Sequence, residues 1–148
     1  MNKKILLPIQ GTIKPLDETP DEAFSSGSVG PGFLIIPDFG EVIAPMDGTV
    51  SVLFPGGHAI GIKDKLGLDI LIHVGVDTVN LKGEGFKTHV SKGDQVKKGA
   101  PLVSFDMDAI KKNVPSLASP VVFPGMKSVE ILKQKDKDTR TILKLSVE

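Results

Sequence analysis

Two of the chain's three histidines bracket one stretch, HAIGIKDKLGLDILIH, residues 58–73. A neutral imidazole keeps a free lone pair near pH 7, because its reference pKa is about 6.5. It can act there as a nucleophile, a proton carrier or a metal ligand. Two β-compatible runs flank KDKLG, whose Gly, Asp and Lys mark a tight turn. A turn centred between Lys65 and Leu66 sets His58 directly opposite His73 in an antiparallel hairpin. Directly paired residues share a sheet face with Cβ atoms about 4.5–5.5 Å apart. Strand alternation puts Asp69, Leu71, His73, Gly75 and Asp77 on one face, and Ile70, Ile72, Val74 and Val76 on the other. The histidine face is the less apolar one, and Gly75 leaves open backbone beside the ring. Three readings follow. The pair binds zinc, which requires a third and usually a fourth ligand. One imidazole is a nucleophile and the other steadies the charge of what it attacks. Or each ring is a half-buried strand residue satisfied by a backbone carbonyl.

The elements that must hold this pair are strands. KILLPI, GFLIIP, EVIAP, GTVSVLF, HAIGIK, LDILIHVGV, PLVSF, PVVF and TILKLSV are short runs rich in Val, Ile and Leu, bounded by Gly, Pro, Asp and Lys. That is the pattern of an all-β sandwich or barrel. Helical patterning is confined to one turn at PDEAF and a short stretch at DMDAIKKN, where Asp108 is a candidate cap. LPIQGTIKPL (7–16) resembles APMDGTVSVL (44–53), and SPVVFPG begins in the same way. The likeness suggests strand–turn units packed by pseudo-symmetry, without the sustained period of a solenoid. KQKDKDTR (133–140) reads as a solvated hairpin turn.

Composition narrows the function classes. At 148 residues the chain is expected to form one domain, residues 1–148, with a core large enough to need no staple. It has no cysteine, so thiol and disulfide chemistry are excluded and a cytoplasmic setting is expected. Eighteen basic and eighteen acidic residues cancel, and there is no Tyr or Trp, so the electrostatic footprint of a nucleic-acid binder is missing. No run approaches the roughly 18 apolar residues of a membrane helix. MNKKILLPIQGTI breaks at Pro8 and reads as a first strand, so direct membrane insertion is not expected.

APMDGTV (44–50), GGHAIGI (56–62), LIHVGVDTVNLKGEGF (71–86) and GDQVKKGAPLVSFD (93–106) together resemble the glucose-type enzyme IIA (EIIA) domain of the bacterial phosphoenolpyruvate-dependent sugar phosphotransferase system. DETPDEAF (17–24) and SPVVF (119–123) fall in matching order, so the resemblance spans nearly the whole chain. HVGVDTVNLKGEGF is the most specific segment. The resemblance implies an antiparallel β-sandwich or barrel of the duplicated hybrid motif type. It implies a phosphohistidine carrier that accepts a phosphoryl group from the phosphocarrier HPr and passes it to an EIIB domain, with no cofactor or metal of its own. Mapped by motif, His73 is the phosphorylated nucleophile and His58 its phosphoryl-stabilising partner. Asp21 and Asp77 form an acidic pair beside them, and Phe24, Phe54 and Val79 an apolar docking rim. Asp21 has a second reading, as the cap of the PDEAF turn. The chain departs from the family at Gly56, where relatives often carry a hydroxyl residue. His89 lies outside the motif and reads as a surface residue.

Three other protein classes share some of these features. Biotin- and lipoyl-carrying domains share the APMDGTV and GDQVKKGAPLVSFD features, but they need a lysine where this chain has FDMDA. A lysostaphin-like zinc peptidase needs a His-x-His pair that three widely spaced histidines do not provide. A regulatory module of the same fold, bound to a sugar permease, a regulated transporter or another cytosolic target, would carry the same histidine pair.

Overall fold

Alternating and fully apolar runs become strands because β-branched side chains pack well on a pleated, half-buried surface. The computed structural model describes residues 1–138 and 140–148. In order these form β1 (Asn2–Leu6), β2 (Gly11–Pro15), α1 (Glu22–Ser25), β3 (Gly32–Pro37), β4 (Glu41–Ile43), β5 (Gly48–Leu53), β6 (Ala59–Lys63) and β7 (Asp69–His73). There follow β8 (Phe86–Thr88), β9 (Gln95–Val96), β10 (Pro101–Phe105), α2 (Met107–Lys111), β11 (Ser119–Val122), β12 (Val129–Lys137) and β13 (Arg140–Val147). Single 3-10 turns occur at Leu16–Glu18 and Thr78–Leu81. The fold is mostly β, as expected.

A seven-stranded sheet runs β2-β3-β11-β7-β6-β5-β9, and two three-stranded sheets run β1-β13-β12 and β4-β10-β8. The pairings are antiparallel. Their inner faces meet in one buried cluster that includes Ile70 and Ile72 of β7, Leu143 and Leu145 of β13, and Val103 of β10. The central strands β11 and β6 are buried on both faces except at Lys63, whereas β7 and β13 alternate buried and half-exposed positions. Among the described residues no helix is long and apolar enough to cross a membrane.

The internal likeness has a spatial counterpart. β2 and β5 each begin at the Gly of a Gly-Thr pair; β2 flanks β3, β5 flanks β6, and β3 and β6 flank the central β11–β7 pair. Each segment is bonded to the residue just before the other: Leu6 N–H donates to the Pro45 carbonyl at 3.0 Å, and Ile43 N–H donates to the Pro8 carbonyl at 2.9 Å.

Local expectations differ in three places. α2 is capped by Asp106, whose Oδ1 accepts from Ala109 N–H at 3.0 Å; Asp108 already lies inside the first turn. KQKDKDTR is mostly strand, since β12 continues through Lys137 and Lys137 pairs with Arg140; position 139 lies outside the described residues. Its charged residues belong to an exposed edge strand, where lysines discourage edge-to-edge pairing. β8 and β9 are too short to show a period.

Candidate functional site

The β6–β7 hairpin positions both histidines, in a register one residue from the expected one. Ala59, and not His58, stands opposite His73, followed by Ile60 opposite Ile72 and Lys63 opposite Asp69. The cause is at the turn. Gly67 adopts φ +91° and its N–H donates to the Asp64 carbonyl at 3.1 Å, while Asp64 N–H donates to Leu68 at 2.9 Å. The loop therefore holds three residues, with glycine in the left-handed position that such loops require. The Asp64 carboxylate accepts from Leu66 N–H and Leu68 N–H and fixes the turn.

A one-residue shift normally sends a side chain to the other face. His58 escapes that rule because it lies just outside β6, in a bend that follows Gly56 (φ +95°) and Gly57 (φ +88°). Its carbonyl still accepts from Val74 N–H at 2.7 Å. Its ring turns back to meet His73 edge-on, with centroids 5.3 Å apart and planes at 76°. The rings come together by a backbone bend and not by direct pairing. The same bend accounts for the departure at Gly56: a Cβ there would stand 2.9 Å from the Gly83 backbone nitrogen, besides its positive φ. Ala59 keeps the position opposite His73 small.

The segment after His73 sets the ring's tautomer. Gly75 (φ +72°) and Asp77 (φ +60°) turn the chain sharply, and the Gly75 carbonyl lies 2.8 Å from His73 Nδ1. Nδ1–H donates to that carbonyl, so Nε2 is the nitrogen with the lone pair, and it has no hydrogen-bond partner among the described residues. The turn is itself held. Gly75 N–H donates to Ser119 Oγ at 3.1 Å, Ser119 Oγ–H donates to the Leu117 carbonyl at 2.7 Å, and Thr78 Oγ1–H donates to the Val74 carbonyl at 2.6 Å. Ser119 and Thr78 are fully buried. Neither was singled out from the sequence. SPVVF and HVGVDT contain them, but only the fold brings Ser119 beside a glycine 44 residues earlier.

Apolar groups close around the rings. Phe24 packs on His73 with centroids 5.1 Å apart, and Phe54 meets His58 edge-on at 5.5 Å. Phe24 is only 8% exposed and lies beneath the surface, whereas Phe54 (41%) and Val79 (57%) stand out from it. His58 is 3% exposed and His73 is half-buried. Burial disfavours the imidazolium, so both rings are held below the ordinary histidine pKa. For His58 the charge of His73 adds to the lowering, and the Pro55 carbonyl opposes it. For His73 the Gly75 carbonyl, Asp21 and Asp77 pull the other way without reversing it. Asp21 thus does two things at once. Its Oδ1 caps α1 by accepting from Ala23 N–H at 3.0 Å, and its charge acts on His73. Asp77 is exposed at the start of the Thr78–Leu81 turn. His89 sits apart, exposed, with Nε2 on Ser104 Oγ at 2.7 Å. Among the described residues no group of three or more His, Cys, Asp or Glu is placed to hold a metal ion.

This arrangement, a neutral imidazole with one nitrogen fixed and the other open beside a second imidazole, can attack an electrophile and steady the charge on it. Comparison with known proteins gives the chain's family. Residues 3–129 match the model of the phosphoenolpyruvate-dependent sugar phosphotransferase system EIIA 1 family. The chain is similar to the glucose-specific EIIA component of Mycoplasma capricolum, 43% identical over 148 residues, covering 97% of this chain and 96% of that protein. It is also similar to the glucosamine-specific EIICBA component of Bacillus subtilis, 46% identical over 122 residues; these span 82% of this chain but 19% of that longer protein. The solved structure of glucose permease IIA from Mycoplasma capricolum superposes with a TM-score of 0.85 at 41% identity, covering 96% of each chain. The chain belongs to the EIIA 1 family of the phosphoenolpyruvate-dependent sugar phosphotransferase system.

Proposed function

We propose that residues 1–148 act as one unit, a cytoplasmic phosphoryl relay that takes its group from HPr and gives it to an EIIB domain through His73 Nε2. The observation that carries this is the fixed tautomer: Nδ1 is committed to the Gly75 carbonyl, and Nε2 has no hydrogen-bond partner among the described residues. Family membership supports a phosphocarrier role in sugar phosphotransfer.

The Nε2 lone pair forms a bond to phosphorus as the donor's phosphorus–nitrogen bond breaks and its electron pair returns to the donor. No water, metal or redox partner enters the balance. Phosphoryl transfer of this kind is mostly positioning plus stabilisation of charge on the three equatorial oxygens. His58, edge-on at 5.3 Å, can donate to one of those oxygens when it carries a proton on the facing nitrogen. Positive charge grows on the His73 ring during attack. The Gly75 carbonyl and the nearby charges of Asp21 and Asp77 favour it. The same carboxylates repel the phosphoryl oxygens once transfer is complete. The phosphohistidine is thereby kept reactive, suited to being handed on. Phe54, which packs against His58, and Val79 are both exposed and supply apolar surface for docking partners.

Incubation with phosphoenolpyruvate, the general phosphotransferase enzyme and HPr should label the chain with a phosphoryl group that is acid-labile and base-stable. The label should vanish in His73→Gln. Labelling that survives this substitution would remove His73 from the relay.

A further inference from the structure

The far end of the β6–β7 hairpin carries a feature that the relay does not use. An open groove of about 790 Å³ lies between β1, the hairpin turn and the segment after β9. Lys3, Lys4, Lys63, Lys65, Lys97 and Lys98 line it, six of the chain's eighteen basic residues. Its two acidic residues are already engaged. Asp64 accepts from Lys3 Nζ at 2.9 Å as well as from two turn N–H groups. Asp47 accepts from Lys98 N–H at 2.7 Å, which, with Lys97, Lys98 and Lys3 nearby, holds its carboxyl below the usual range. Burial pushes Asp64 up, but the hydrogen bonds from Lys3, Leu68 and Leu66 outweigh it. Among the described residues the other five lysines have no carboxylate within ion-pair reach.

Six like charges against two leave the groove about +4 in a chain whose formal charge is zero. Such crowding costs self-repulsion, and a concave surface focuses its field on whatever enters. The volume falls within the usual range of small-molecule sites, roughly 300–1,000 Å³. Thr49 and Gln95 add neutral hydrogen-bonding groups between the lysines, and Met46 is a buried floor. We infer that this groove binds a small anion bearing two or more phosphate groups, at a site separate from the histidine pair. A bisphosphate matches both the net charge of the groove and the spread of its lysines over three segments. A single carboxylate would leave most of them unanswered.

The test uses the full chain with three probes: inorganic pyrophosphate, a hexose bisphosphate, and vesicles of cardiolipin, whose headgroup carries two phosphates. Titration calorimetry and amide chemical shifts at low salt should show one saturable site. Shifts should be confined to residues 3–4, 46–49, 63–66 and 95–98, and affinity should fall steeply as salt rises. Lys63→Gln with Lys97→Gln should weaken binding about tenfold or more, since each removes a charge-assisted hydrogen bond. Both side chains are exposed, so a melting curve should show the fold intact. Response to the soluble probes assigns a free phosphorylated metabolite. Response to vesicles alone assigns the same phosphate chemistry to a lipid headgroup. If the lysines serve only to blunt the β1 and β9 edges, no probe will bind saturably, and the inference fails. It fails equally if the double substitution leaves affinity unchanged. Neither result bears on His73, whose labelling is read separately.

Discussion

At one end of the β6–β7 hairpin two imidazoles are packed among aromatic rings, and one of them has a nitrogen tied to a backbone carbonyl. At the other end, about 17 Å away at roughly 3.3 Å per strand residue, lysines ring an open groove with few counter-ions. The ends differ because their chemistry tolerates burial differently. A neutral imidazole can be covered by Phe24 or Phe54 and is made more reliably neutral by it. An ammonium cannot be so covered without losing its charge or its hydration. Bond-making at Nε2 also demands a fixed ring, and the backbone after His73 supplies it through two consecutive-but-one left-handed residues, Gly75 and Asp77. Attraction of an anion demands only that charges be near one another.

The sharpest way to break this contrast is at the rings. His73→Gln should abolish phosphoryl acceptance outright, while His58→Gln should leave acceptance measurable and slow onward transfer about 100-fold, the usual scale for losing one donor to a developing charge. Single-turnover transfer with labelled protein separates the two steps. Equal loss in both would mean His58 merely supports the ring.

Next come the bends. Gly56→Ala faces both a positive φ and the Gly83 backbone, so it should cost about 2–3 kcal/mol and displace His58. Gly67→Ala, at the lysine end, faces positive φ in open space and should cost only about 1 kcal/mol. Denaturant unfolding measures both, and equal costs would remove the claim that Gly56 is held by a close backbone approach.

Ser119→Ala should leave Gly75 N–H buried without its acceptor, at about 1–3 kcal/mol. It should also slow acceptance several-fold while Ser119→Thr restores it. A stability loss with an unchanged rate and unchanged His73 ring signals would make Ser119 structural only.

The smallest effect is the pH response. Because both rings are held below the ordinary histidine value, acceptance should stay flat as pH falls from 8 towards 6.5 and decline only below that. The unfolded chain takes up protons on these rings first, so fold stability should also begin to fall as pH drops through about 6.5. Replacing Asp21 and Asp77 with Asn removes two charges that raise His73, so its titration, followed by ring-proton NMR, should move to lower pH. Movement upward would contradict the roles assigned to them.

The two ends were also unequally legible. The histidine end is encoded in continuous segments, so HVGVDT and GGHAIGI marked it even though the register was read one residue off. That error came from the turn: KDKLG shows that the chain reverses, but whether Gly67 is counted in the pairing or in the loop depends on its φ. The lysine end is assembled from residues 3–4, 63–65 and 97–98, and no single segment is basic enough to stand out in a neutral chain. Ser119 was invisible for the same reason.

By itself the order of residues determined an all-β chain, its short strands and punctuating glycines, and a hairpin with a histidine near the open end of each arm, since these follow from local periodicity and turn chemistry. Only the folded structure decided that His58 reaches His73 through a bend, that Ser119 accepts from the N–H of the glycine whose carbonyl orients the reactive ring, and that distant lysines share one groove. The last two relations join segments tens of residues apart, and the packing of the sheets, not any local propensity, sets which of them meet; the first depends on backbone angles at Gly56 and Gly57.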